Sequence, residues 1–220
     1  MKEIIKLCKI KKTYGKRIIF NDLDLTVNQG EFISIGGASG EGKTTLLNIL
    51  GMLDRFQSGR YYFDNIDVAE KKSERIRVRS EKIGFVFQDY CLLESLSVAD
   101  NILMPFFYSE SRIANSVYDG VRDYLERFGL KNMEKTKAKY LSGGEKQRVS
   151  IIRAMIKKPA LVLADEPTGN LDPNNAEIIS TELRKMADAG TTVVVVTHNQ
   201  EVFKHVDRRY RLADGRLFYE

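Results

Sequence analysis

Hydrophobic and polar positions change their period several times along this chain, and the changes mark its elements. The first part alternates turn residues with short β-rich runs: "EIIKLCKI" (3–10), "RIIF" (17–20), "LDLTV" (23–27) and "EFISIGG" (31–37). "NQGE" (28–31) reads as a hairpin turn between the last two runs. In "KTTLLNILGML" the apolar residues Leu46, Leu47, Ile49, Leu50 and Leu53 fall on one face of a helix. "GRYYFDNIDV" (59–68) returns to strand, and "KIGFVFQ" (82–88) is a short apolar strand. Residues 97–137 carry helical spacing, with Pro105 as the break. A helix starting at Ser142, a strand "ALVLAD" (160–165), a helix "NNAEIISTELRKMADAG" (174–190) and a strand "TTVVVVTH" (191–198) complete the order. Strands alternating with helices predict an α/β domain with a parallel sheet. The purely apolar strands predict that helices cover both sheet faces.

Composition changes this picture little. With 220 residues, 43% apolar and 30% charged, the chain fits one globular unit with a sizeable core. No apolar run approaches the ~18 residues of a membrane-spanning helix, and "MKEIIKLCKIKKTYGK" does not read as a signal peptide. Two cysteines, Cys8 and Cys91, form no disulfide framework and fit a reducing cytosol. The net charge of +5 permits contact with nucleic acid or anionic lipid but reads first as a solvated surface.

The chemistry begins at "GASGEGKT" (37–44), between a strand and a helix, where a phosphate-binding loop belongs. Gly37, Gly40 and Gly42 free the backbone around Ala38, Ser39 and Glu41 to wrap an anion. Lys43 then reaches the β- and γ-phosphates, and the Thr44 hydroxyl, with Thr45 beside it, is placed at Mg²⁺. "LVLADEPTGNLD" (161–172) ends an apolar run in Asp165 and Glu166. At the carboxyl edge of a parallel sheet, Asp165 can hold the metal's hydration shell and Glu166 can deprotonate an attacking water. Alone, the pair would read as helix-capping acids. His198 after four valines, and Gln88 closing "IGFVFQ", are polar groups at the same kind of strand end. Each suits a γ-phosphate, water or metal contact, or an ordinary structural role. Tyr14 either stacks on a base or packs in the core.

"KYLSGGEKQR" (139–148) is the odd stretch. Ser142 and Glu145 form a capping box, yet Gly143 and Gly144 occupy the first turn, where each is up to about 1 kcal/mol poorer than alanine. Bare backbone at a helix start suits a close anion.

Tyr14, "GASGEGKT", Gln88, "LSGGEKQR", "LVLADE", "GNLD" and His198 occur together and in order. That order resembles the ATP-binding subunit of ABC transporters over nearly the whole chain. Within that family, "KTYG", "GEFISIGGASGEGKTTLLNILGMLD" and "DEPTGNLD" look most like the branch containing the macrolide exporter MacB, the lipoprotein-release ATPase LolD and the bacitracin-resistance ATPase BceA, with the cell-division ATPase FtsE nearby. The resemblance implies an ABC ATPase fold: an antiparallel β subdomain, a RecA-like parallel-sheet core and a helical subdomain. It divides the single domain 1–220 into a core of about 1–87 and 141–220 and a helical part of about 88–140.

It also implies the roles. Tyr14 stacks on adenine, the 37–45 loop holds the phosphates, and Gln88 contacts Mg²⁺ and senses a membrane partner. Asp165 supports the metal, Glu166 is the catalytic base and His198 clamps the γ-phosphate. Ser142, Gly143, Gly144 and Glu145 face the ATP of a second copy, and Asp172 links the two sites. The implied protein is an ATPase using ATP and Mg²⁺, a homodimer on the cytoplasmic face of the cell membrane, bound to a separate transmembrane permease. Export of peptide, antibiotic or lipoprotein is the implied work, and an FtsE-like signalling or cell-wall role is the alternative. Departures are small: Glu145 and Lys146 replace more usual glutamines, and Glu94 stands where this branch often has proline. Nucleic acid is not expected as a partner. Only about fifty residues separate Gln88 from Ser142, with neither sustained heptads nor metal-spaced cysteines.

Overall fold

The computed structural model describes residues 2–107, 115–169 and 171–220. Two long strands, β1 (Glu3–Tyr14) and β2 (Arg17–Asn28), open the chain as an antiparallel pair. The runs "RIIF" and "LDLTV" are therefore one strand. The turn-like Asn21-Asp22 between them is absorbed as a bulge in the register, with Asp22 at φ 59°. β3 (Phe32–Gly36) follows, then α1 (Lys43–Leu50), β4 (Ser58–Phe63) and β5 (Ile66–Asp67). Asp64 and Asn65, both at positive φ, turn β4 into β5. α2 (Lys72–Lys82) leads to β6 (Ile83–Val86), then α3 (Val98–Leu103) and α4 (Asn115–Arg127). The rest is α5 (Gly143–Met155), β7 (Leu161–Asp165), α6 (Pro173–Asp188), β8 (Thr192–Val196), α7 (Gln200–Phe203), β9 (Arg208–Ala213) and β10 (Arg216–Tyr219).

The strands form two sheets, one antiparallel in the order β2-β1-β4-β5 and one of six strands in the order β10-β9-β3-β8-β7-β6. In the second, β9, β3, β8, β7 and β6 run parallel. This overturns the hairpin expected at "NQGE". A turn does form, with the Glu31 amide donating to the Asn28 carbonyl at 3.2 Å, but the strands it joins belong to different sheets. The β3 strand is buried at its first four positions, so it cannot sit in a half-exposed hairpin.

Alternate residues of the parallel strands feed two cores. Ile33, Ile35, Leu163, Val194 and Val196 pack with α1 and the antiparallel sheet. Phe32, Val86, Val162, Ala164, Val193 and Val195 pack with α3, α4, α5 and α6 on the other face. All five β8 residues are buried, which is why four of them are valines.

The expected helical stretch 97–137 is helical only in parts. α3 passes into a 3₁₀ turn at Met104–Phe106, where Pro105 breaks it, and α4 ends at Arg127. Residues 108–114 of that stretch, and Asn170 of "GNLD", lie outside the described residues. α2 has no counterpart among the expected elements, because Val78 is its only buried residue.

Candidate nucleotide site

Four adjacent parallel strands, β3, β8, β7 and β6, end on one edge of the sheet. The phosphate loop leaves β3, His198 follows β8, Asp165 and Glu166 close β7, and Gln88 follows β6. The topology thus gathers residues scattered over more than a hundred sequence positions where open α/β sheets take ligands. Tyr14, Ser39, Gly40, Gly42, Lys43, Thr44, Thr45, Gln88, Asp165, Glu166 and His198 all line one cleft of about 520 Å³. Sequence reading had named every one of them.

The loop is built for close approach. Gly37, Gly40 and Gly42 sit at φ 139°, 83° and 100°. A side chain at Gly37 would meet the Leu212 carbonyl at 2.4 Å, and one at Gly42 would meet Ile19 at 2.6 Å. α1 starts at Gly42 with no side-chain cap, whereas α3, α5 and α6 are each capped by a side chain. The first amides of α1 therefore have neither an intrahelical nor a capping partner, as an anion site requires. Lys43 lies over the loop, its Nζ donating to the Gly37 and Ala38 carbonyls at 2.7 and 2.8 Å. Glu41 does not line the cleft, and its Oε2 accepts from the Asp214 amide at 3.1 Å.

The Thr44 hydroxyl donates to Asp165 Oδ2 at 2.8 Å, joining the loop to β7. Burial pushes the Asp165 carboxyl above the usual carboxylate range, opposed by the Thr44 hydroxyl and the Lys43 ammonium. The neighbouring Glu166 has a left-handed backbone at φ 45°, a conformation that costs about 1–3 kcal/mol and gathers at functional sites. Its amide donates to the Val196 carbonyl at 2.8 Å, and its carbonyl accepts from Gly169 at 3.2 Å. His198 Nε2 stands 3.8 Å from Glu166 Oε1, so both side chains reach the same space.

The raised Asp165 pKa carries a consequence for stability. A carboxyl whose folded pKa lies above its unfolded value holds its proton more tightly when folded, so its ionisation destabilises the fold as pH rises through that window. Asp165→Asn should therefore unfold at a higher Tm than the parent at pH 7.5 without nucleotide, with the difference shrinking toward pH 4. Differential scanning calorimetry across that range reads it; a lower Tm for Asp165→Asn at pH 7.5 contradicts it.

The residues expected to act across an interface do not line this cleft. Ser142 is exposed, and its capping box is complete: Ser142 Oγ accepts from the Glu145 amide, and the Ser142 amide donates to Glu145 Oε2 at 2.7 Å. The glycines have tight neighbours within the chain. A Cβ at Gly143 would come 3.3 Å from the Tyr90 hydroxyl, and one at Gly144 would come 3.3 Å from Leu171. Asp172 caps α6, accepting from the Asn175 amide at 3.0 Å, and hydrogen bonds from Asn175 hold its carboxyl below the usual range.

Tyr14 is not a core residue. It is 52% exposed, and its hydroxyl donates to Asp54. Two residues that sequence reading missed join the site. Arg17 lines the cleft and its guanidinium donates to the Gly40 carbonyl at 2.8 Å, while Asp54 holds Tyr14. Neither belongs to a motif; only the β1–β2 pairing and the loop after α1 bring them in.

A phosphate loop on a parallel sheet, with carboxylates at the end of the next strand but one, defines a nucleoside-triphosphate-binding protein of the P-loop class. Residues 20–169 match the family model described as ABC transporter. The chain is 42% identical to the macrolide export ATP-binding/permease protein MacB of Escherichia coli over 99% of its own length, and spans 34% of that protein. It is 40% identical to the uncharacterized ABC transporter ATP-binding protein YvrO of Bacillus subtilis, covering 97% of this chain and 95% of YvrO. It is 36% identical to the lipoprotein-releasing system ATP-binding protein LolD 1 of Rhodopseudomonas palustris, covering 99% of both chains. The dimeric ATP-binding cassette MJ0796 bound to ADP and Pi superposes with a TM-score of 0.90 at 37% identity, covering 98% of this chain and 97% of that one. The chain belongs to the ABC transporter family, as an ATP-binding and ATP-hydrolysing cassette.

Proposed function

We propose that this cassette is the motor of a membrane export or extraction complex, working as a pair of chains that sandwich two ATP molecules. One observation carries the reading: the cleft gathers the phosphate-side residues of one chain, while the exposed start of α5 and Asp172 lie outside it. Each cleft is then completed by Ser142, Gly143, Gly144 and Glu145 of the second copy, whose first-turn backbone faces the γ-phosphate.

Within one cleft, Tyr14 stacks on adenine and the 37–45 loop amides with Lys43 hold the phosphates. Glu166 takes the proton of the attacking water, and His198, beside it, holds the γ-phosphate. The Thr44 hydroxyl, the Asp165 carboxylate and the Gln88 amide supply the oxygen donors that suit Mg²⁺. Bound there with ATP, that ion would neutralise charge on the β- and γ-phosphates. ATP favours the closed pair and hydrolysis releases it, so the nucleotide shifts an equilibrium that can pull on a membrane partner.

No helix among the described residues is long and apolar enough to cross a membrane. In this reading a transmembrane permease, docked against residues at about 88–140, forms the path, and the cassette lies peripheral on the cytoplasmic face. The names of MacB and LolD point to antibiotic or lipoprotein cargo. Affinity purification of the chain from its native membranes, followed by mass spectrometry, should recover a polytopic permease at near-equal stoichiometry. Recovery without any membrane protein would overturn the transporter reading.

A further inference from the structure

Lys12 is a charged residue at 4% exposure in β1, two positions before Tyr14 and on the same face of the strand. Such a charge needs built partners. Its Nζ donates to Asp54 Oδ1 at 2.8 Å and to the Arg55 carbonyl at 2.6 Å, and it stands 4.4 Å from the centre of the Tyr14 ring. The other oxygen of Asp54 accepts from the Tyr14 hydroxyl. Burial opposes ionisation of Asp54, but its bonds from Lys12, Tyr14 and the Arg55 amide hold its carboxyl below the usual range. The loop that carries Asp54 is itself fixed: the Asp54 amide donates to the Asn48 carbonyl at 3.1 Å, and Gln57 bonds both backbone groups of Thr13 at 2.9 and 3.2 Å.

We propose that Lys12 and Asp54 are positioning residues for the nucleotide's base. Asp54 fixes the Tyr14 ring by its hydroxyl, and Lys12 covers one face of that ring, leaving the other to stack. The inference rests on Tyr14 being the base platform. Three features support it. Tyr14 lines the same cleft as Ser39, Gly40 and Lys43, while its hydroxyl is held by Asp54, which does not line it. An exposed tyrosine on a strand end has rotamers to lose on binding, and a ring already held forgoes that loss. Asp54 also lies four residues beyond α1 and its amide bonds the Asn48 carbonyl of that helix, whose other end carries the phosphate loop, so the helix ties base platform to phosphates.

The test is calorimetric titration of the full chain with ADP and, separately, with inorganic tripolyphosphate, which has no base. Tyr14→Ala should weaken ADP binding at least about fivefold, the lower end of the worth of one base–aromatic stack. Lys12→Met and Asp54→Asn should each weaken it roughly 2- to 5-fold, the range of an exposed cation–π contact. Tyr14→Phe should resemble Asp54→Asn. All four variants should bind tripolyphosphate as the parent does. Parallel loss of tripolyphosphate binding in Lys12→Met and Asp54→Asn would make their effect a general one on the loop and overturn the inference. Parental ADP affinity in those two variants, with Tyr14→Ala impaired, would overturn it while leaving the base platform standing. Parental ADP affinity in Tyr14→Ala would remove the platform and the inference together.

Discussion

Glu166→Gln should bind ATP about as tightly as the parent, hydrolyse it on the order of 10²–10⁴-fold more slowly, and accumulate as an ATP-bound dimer. The glutamine keeps the shape and the hydrogen-bonding reach of the glutamate but cannot take a proton from water. Nothing that holds the nucleotide changes: Lys43, the uncapped start of α1 and the Thr44–Asp165 bond are untouched. The strained backbone of Glu166 is fixed by its neighbours, through the Val196 carbonyl and the Gly169 amide, and not by its carboxylate. The variant should therefore fold as the parent does. Phosphate release gives the rate, and analytical ultracentrifugation with ATP gives the mass. Turnover near the parental rate would take Glu166 out of the base role, and a monomer at saturating ATP would detach hydrolysis from dimer release.

The site was more legible than the fold around it, for a physical reason. Phosphate chemistry fixes residue types at fixed spacing, so Lys43, Thr44, Asp165, Glu166 and His198 can be read from local sequence and a strand end. The parallel core was legible too, because strands buried on both faces must be apolar throughout. What failed were features set by partners distant in sequence. A turn at "NQGE" announces a reversal, but not whether the next strand joins the same sheet. Asn21-Asp22 looks like a loop and is a bulge. α2 buries one residue and leaves no hydrophobic period. Asp54 and Arg17 belong to no motif; Arg17 reaches the cleft, and Asp54 holds Tyr14, only through tertiary contacts. The capping box at Ser142 was read correctly, but the glycines after it have a packing reason, against Tyr90 and Leu171, that no local rule supplies.

Ser142→Arg should leave ATP binding to the isolated chain nearly unchanged and abolish turnover. Removing the serine cap costs only about 1 kcal/mol, too little to unfold a domain of this size. Ser142 is exposed and lies outside the lining of its own cleft, so a bulky arginine there meets solvent in the monomer. In a nucleotide sandwich the same arginine falls between α5 and the phosphates of the opposite chain and disables the site it enters, so a pair of Ser142→Arg chains loses both sites. Lys43→Ala has the complementary defect, since it disables only the cleft of the chain that carries it. Mixing the two inactive variants then separates acting within a chain from acting across one. If Ser142 serves the opposite cleft, each mixed dimer pairs an intact Lys43 with an intact Ser142 at one of its two sites, and turnover returns. If Ser142 serves its own chain, every cleft in the mixture carries a defect and none returns. A Ser142→Arg chain that lost ATP binding and turnover together would place its effect in its own chain, and the exposed capping box would then be a helix start and nothing more.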